Sequence, residues 1–122
     1  MAERISDAEH SVMEVLWNDA PLTANVIASR LTSTQSWSLA TVKTLLSRLV
    51  AKKALTTQTE GRKFLYHPAL QRSDYVTDES KRLVDRLFGG KLTPLFTHMA
   101  EQETLSAEDI AEIEALLKAL KP

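Results

Sequence analysis

The sequence predicts a mainly α-helical chain: three helices, one β-hairpin, then three more helices. Three observations predict it. Apolar residues recur at helical spacing in separate segments, several opened by a Ser or Thr cap. One segment, Ser38 to Lys53, pairs an apolar face with a face of small, polar and basic side chains. Directly after it, β-branched and aromatic residues flank a Gly-containing turn, which is a hairpin pattern.

The first helix starts at Ser6, because Ser6 and Glu9 have the spacing of a capping box. Ala8, Val12, Val15 and Leu16 form its apolar stripe, and Asn18-Asp19-Ala20-Pro21 stops it. The second is capped by Thr23 and runs to about Leu31, with Leu22 and Ile27 placed as a hydrophobic staple. Thr32 to Trp37 then form a link longer than a tight helix-turn-helix turn. Ser38 caps the third helix, Trp37 can staple onto Val42, and the helix should run through Lys52 or Lys53. Val42, Leu45, Leu46, Leu49 and Val50 form its apolar face. Ala40, Thr44, Ser47, Arg48 and Ala51 lie opposite, flanked by Thr41 and Lys43. Short side chains let a helix approach closely, while Thr, Lys and Arg supply hydrogen bonds. A DNA major groove asks for both.

The hairpin strands are Leu55–Thr59 and Lys63–His67, joined through Glu60-Gly61-Arg62 and closed by Pro68. Arg62 and Lys63 sit at its tip. A lone two-stranded hairpin is marginal in water, so it must pack on the helices. Three helices and a basic-tipped hairpin make a winged helix-turn-helix domain, assigned to residues 1–73.

Residues 74–122 form a second domain of three helices. Val76, Ser80, Leu83, Val84, Leu87 and Phe88 share helical spacing before the Gly89-Gly90 stop. Thr93 caps a fifth helix with Pro94 at its first position, followed by Leu95, Phe96, Met99 and Ala100. Ser106 caps a sixth with Asp109 three residues on, and Leu105 can staple onto Ile110. Its seam is Ile110, Ile113, Leu116, Leu117 and Leu120. Three short amphipathic helices make a poor core alone, since small cores rarely supply more than about 3–5 kcal/mol. A second copy of the chain is the simplest remedy, so 74–122 reads as a dimerisation unit. Its interface is assigned to Val84, Leu87, Phe88, Leu95, Phe96, Met99, Ile110, Ile113 and Leu117. The alternative is that these helices complete a monomer core by packing back on the first helix.

Charge is distributed unevenly. The chain is net -1, yet residues 38–67 hold six basic side chains and one acidic, net +5. A local basic field of this kind suits phosphate contact, though a solvated basic surface has the same composition. At 122 residues and 43% hydrophobic, the chain is a globular protein of one domain or two small ones. It has no Cys, which excludes a disulfide scaffold, Cys-based zinc fingers and a thiol nucleophile. No apolar run reaches the length of a membrane span, and Met1-Ala2-Glu3-Arg4-Ile5 has no leader-like stretch. A cytoplasmic protein without membrane insertion is expected.

Nothing points to an enzyme, a metal or a cofactor. His10, His67 and His98 have no metal-ligand spacing; His10 and Glu14 read as a surface pair. Gly61 is alone, so no phosphate-cradling Gly-rich loop is present. The acids Glu108, Asp109 and Glu112 suit the dipole at a helix start.

Ile5-Ser6-Asp7-Ala8-Glu9 with Val12-Met13 and Leu16-Trp17, then Trp37-Ser38 leading into Thr41 to Leu49, resemble the penicillinase-repressor family (the BlaI/MecI/CopY type). The likeness continues through Phe64 and Tyr66 to Gly89-Gly90 and Glu103-Thr104-Leu105-Ser106. It implies a homodimeric transcriptional repressor whose third helix enters the major groove of each half of an inverted-repeat operator. Carried over by position, Thr41, Lys43, Thr44 and Arg48 would face the groove, with Ser47 on the same face. Trp37 and Ser38 would place the helix at the backbone, and Arg62 and Lys63 would hold phosphates. The family's copper-sensing members end in paired Cys, which this chain lacks. Its penicillinase repressors are cut at an Asn-Phe bond on a signal from a membrane sensor protease. The matching position here is His98-Met99, a departure that leaves the inducing signal open.

The function expected is therefore repression by covering a promoter, with release by proteolysis in the C-terminal unit. A repressor released by a small-molecule ligand and a winged-helix protein-interaction module remain the other readings.

Overall fold

A computed structural model describes residues 4–121; Met1, Ala2 and Glu3, part of the segment read as lacking a leader, and Pro122 lie outside it. The elements are α1 (Asp7–Asn18), α2 (Ala24–Leu31), α3 (Leu39–Ala51), β1 (Leu55–Glu60), β2 (Lys63–Pro68), α4 (Arg72–Phe88), α5 (Thr93–Glu101) and α6 (Ala107–Leu120). The mainly helical fold with an antiparallel hairpin is the one expected. The chain divides into two compact units, one ending at Tyr75 and the other starting at Val76.

In the first unit the capping residues sit where the sequence puts them. Ser6, Thr23 and Ser38 each accept a backbone N–H in the first turn of α1, α2 and α3. Each is extended at ψ near 160°, so its hydroxyl oxygen meets the orphan donors. The apolar stripes then close one core of Val12, Met13, Leu16, Ile27, Leu31, Val42, Leu45, Leu46 and Leu49, with Leu55 from β1.

The core also contains a carboxylate. Glu9 is 1% exposed. Its Oε1 accepts the Ser6 N–H at 2.8 Å and the Lys52 ammonium at 2.6 Å. Lys52 also donates to the Arg4 carbonyl at 2.9 Å. One ion pair thus joins the chain before α1 to the end of α3. Burial pushes the Glu9 carboxyl up, but the Lys52 and Ser6 bonds outweigh it and hold the group below its ordinary range.

α3 ends at Ala51, a residue or two earlier than its pattern suggests. The Ala54 N–H bonds the Leu49 carbonyl and the Lys53 N–H the Val50 carbonyl, a Schellman closure. Lys53 takes its left-handed position at φ 65. That turn aims the chain into β1.

β1 and β2 pair from Leu55↔Pro68 to Glu60↔Lys63, leaving Gly61 and Arg62 as a two-residue turn. Gly61 is at φ 62, a conformation a side chain disfavours. One connection was not legible in the pattern. Leu22 exchanges backbone hydrogen bonds with Tyr66, so the residue before the α2 cap forms an isolated antiparallel bridge to the wing.

The helices after the hairpin differ from expectation at two boundaries. α4 starts at Arg72, two residues before Asp74, because its first turn has partners on α1 described below. Thr93 does not cap α5. Leu92 is already helical, at φ -76 and ψ -35, which makes Thr93 an interior first-turn residue with no capping bond. Ser106 does cap α6, in a reciprocal box with Asp109. The stop after α4 uses Gly89 and Gly90, both left-handed. No residue of α4, α5 or α6 is buried, and no two of these helices pack along their length. Leu87, Leu116, Leu117 and Leu120 are 54%, 61%, 53% and 72% exposed.

Glu9→Gln should lower the unfolding free energy by about 1–3 kcal/mol, because a charged partner is lost in a buried position. Urea unfolding measures it. The wild type should also lose stability in acid. A carboxyl held low when folded contributes fully above the ordinary glutamate value, and that contribution disappears as pH falls through the lowered one. The Gln variant should show a shallower acid limb in the same titration.

Candidate nucleic-acid interface

Burying Val42, Leu45, Leu46 and Leu49 leaves α3 one exposed face. Ala40, Thr41, Lys43, Thr44, Ser47, Arg48 and Ala51 are all exposed on it. Helical geometry puts Lys43 and Ser47 at one edge of that face and Thr41 and Arg48 at the other.

The first edge faces the wing. Lys43 and Ser47 line one groove with Arg62, Lys63, Phe64 and Tyr66 of the hairpin. Thr23, Ala24 and Asn25 close its far side. The Leu22–Tyr66 bridge holds this together, since it fixes the wing strand to the chain entering α2. Three cations from two elements therefore border one concavity. Burial pushes the Tyr66 phenol up, so it stays neutral and adds no negative charge.

The hydroxyls are partly committed. Ser38 Oγ accepts the Thr41 N–H at 3.2 Å and lies 3.1 Å from Thr41 Oγ1. Thr44 Oγ1 donates to the Ala40 carbonyl at 3.0 Å, which leaves its oxygen free to accept. Trp37 is half-buried against the core, so most of its ring serves packing.

Of the residues assigned to DNA from the sequence, the groove brings together Lys43, Ser47, Arg62 and Lys63. Thr41, Thr44 and Arg48 share the exposed helix face but lie outside that groove, as do Ser38 and Trp37. Lys52, counted in the local positive charge, is spent on Glu9. His67 alternates with Tyr66 along β2 and so points to the sheet face away from the groove. Thr23, Asn25 and Phe64 were not assigned to the site. The Thr23 cap is visible in the sequence, but nothing local says which surface the start of α2 faces. Phe64 is 49% exposed, with its ring 5.3 Å from that of Tyr66.

Comparisons with known proteins identify a family. A family model described as penicillinase repressor matches residues 5–119. The penicillinase repressor of Bacillus licheniformis is 36% identical over 118 residues, covering 97% of this chain and 92% of that protein. The methicillin resistance regulatory protein MecI of Staphylococcus aureus is 29% identical over 113 residues, covering 93% and 92%. A solution structure of Bacillus licheniformis BlaI, as a monomer in complex with the blaP half-operator, is 41% identical. It superposes with a TM-score of 0.55 over 62% of this chain and 92% of that one.

Ser38→Ala should destabilise the first unit by about 1 kcal/mol through loss of the α3 cap. Chemical denaturation reads this directly; an unchanged midpoint would mean that Ser38 is not holding the helix start.

Proposed function

The chain belongs to the penicillinase-repressor family, and on that premise we propose that it is a DNA-binding transcriptional repressor acting as a homodimer. The observation that carries the proposal is the groove in which Lys43 and Ser47 of α3 meet Arg62 and Lys63 of the wing. α3 enters the major groove of a duplex. Thr41, Thr44 and Arg48 reach base edges, while Trp37 and Ser38 lie at the backbone end of the helix. Arg62 and Lys63 hold phosphates on the flanking strand. Lys52 contributes no contact because Glu9 retains it.

The dimer follows from the second unit, residues 74–122 in this division of labour. Helices with no buried residue cannot stabilise themselves, and a second copy covers them. Val84, Leu87, Phe88, Leu95, Phe96, Met99, Ile110, Ile113 and Leu117 form the interface. Two winged helices related by a two-fold axis read an inverted repeat, and the bound dimer blocks transcription.

Release acts on the same unit. Cleavage between His98 and Met99 by a membrane sensor protease would sever α5 and dissolve the interface. A second reading is a small ligand at the open groove lined by Phe88, Leu92, Pro94, Thr97, His98 and Glu101. Candidate inducers that raise the melting temperature would favour the ligand; cleavage leaves it unchanged until the bond is cut.

Selection of binding sites from random duplex DNA tests the whole proposal. An inverted repeat is the expected product, and recovery of no sequence would overturn it. With about four phosphate contacts per subunit, the logarithm of affinity should fall with that of salt at a slope near -7. Lys63→Ala removes one phosphate contact from each subunit, so it should weaken all sequences alike and make that slope shallower by about 2. Arg48→Ala should cost about 1–3 kcal/mol and relax the preference at one position of each half-site. For the dimer, Leu117→Glu should shift the sedimenting species from two chains to one while leaving the first unit folded.

A further inference from the structure

The connector from the wing to α4 is tied down at every step. Its residues are Ala69, Leu70 and Gln71. The Ala69 and Leu70 N–H groups both donate to the Ala54 carbonyl, at 2.8 and 3.1 Å. The Leu70 carbonyl accepts the Trp17 indole N–H at 2.8 Å. The Gln71 carbonyl accepts the Tyr75 N–H at 3.1 Å and starts α4. Flexible linkers between domains leave such groups to water.

The first turn of α4 is held as well. Tyr75 stacks on His10 at 4.9 Å between ring centroids and tilts against Trp17 at 5.4 Å. Arg72 Nε lies 3.0 Å from Glu14 Oε1, the oxygen that also contacts His10 Nε2 at 2.9 Å. His10, Glu14 and Trp17 are spaced i, i+4, i+7 along α1. They make a stripe separate from Val12, Met13 and Leu16, the buried residues of its core face. An exposed ion pair holds little by itself. The half-buried indole, its hydrogen bond and the two ring contacts give the set its stiffness.

We propose that this clamp is a positioning device for DNA binding. It makes Arg72 to Tyr75 a rigid part of the winged-helix unit, so bending between the reading helix and the dimerisation helices begins only beyond Tyr75. A stiff joint sets the half-site spacing that a dimer accepts, because each added base pair turns one half-site by about 35° about the duplex. Trp17, Tyr75 and Arg72 are positioning residues that touch no DNA. The inference rests on the dimeric reading above.

The test compares the full-length wild type with a Tyr75→Ala/Arg72→Ala double variant. Tyr75→Phe serves as the conservative variant. Affinity is measured for the selected inverted repeat, for that repeat with one central base pair added or removed, and for an isolated half-site. The double variant should keep its half-site affinity within about twofold while losing about five- to tenfold on the correctly spaced repeat. It should also discriminate less among spacings, and Tyr75→Phe should restore the wild-type pattern. Unchanged discrimination would overturn the proposal. So would an equal loss on half-site and full site, which a merely structural role predicts. Amide exchange gives a check without DNA. The backbone N–H at position 75 should be protected in the wild type and exposed in the double variant, and equal exchange would overturn the clamp. Failure of the dimeric reading looks different. The wild type would then bind full and half-sites equally, which removes the positioning role while leaving the exchange result standing.

Discussion

The burial of one side of α3 governs much of what this chain can do. Val42, Leu45, Leu46 and Leu49 all point into a core built from α1, α2 and the start of β1. At 3.6 residues per turn, fixing those four positions fixes the rest of the helix. Thr41, Lys43, Thr44, Ser47 and Arg48 then have nowhere to go but the surface. The reading face is thus a consequence of core packing. It is rigid to the degree that the core is, which is the stiffness the proposed groove-reading role would need to hold several side chains in register with base edges.

The polar contacts protect this arrangement. Glu9 closes the start of α1 and, through Lys52, the end of α3. A buried charge of this sort is weak support for overall stability. Its value lies in geometry, because it ties the chain ahead of α1 to the end of the reading helix. The Leu22–Tyr66 exchange does the corresponding work for the wing. Together with the burial of Leu55 and Leu65 in the core, it holds the hairpin so that Arg62 and Lys63 share a groove with Lys43.

The two halves of the chain obey different physics. The first has a closed, largely apolar core and capped helix starts. The second has well-formed amphipathic helices and no interior, so its apolar area stabilises nothing until another surface covers it. If a second copy supplies that surface, as proposed, folding of that half and assembly would be one event, and control of assembly would become control of DNA binding. Two half-sites engaged together bind far more tightly than one, so on that reading loss of the dimer would release the operator without any change at α3. Coupling of this kind needs no signal to travel through the winged helix. On the dimeric reading it would need only a joint stiff enough for both heads to land at once.

The helix caps were legible in the sequence where they are local. Ser6 with Glu9, Thr23, Ser38 and Ser106 with Asp109 each act within a few residues, and each formed as its spacing implied. The apolar face of α3 was legible for the same reason, since periodicity reports burial directly. Thr93 misled because the same residue type is a cap only when its own backbone is extended, and Leu92 had already turned helical. Lys52 counted as positive surface charge until the fold placed it on Glu9, 43 residues away in sequence. The sequence by itself determined the order of elements, the two faces of α3 and the concentration of cations near it, all properties of neighbours along the chain. Only the tertiary structure decided which cations remain free, that the start of α2 and Phe64 share the groove, and that Trp17 pins the connector. Each of those is a contact between residues far apart in sequence, and no local pattern encodes the partner.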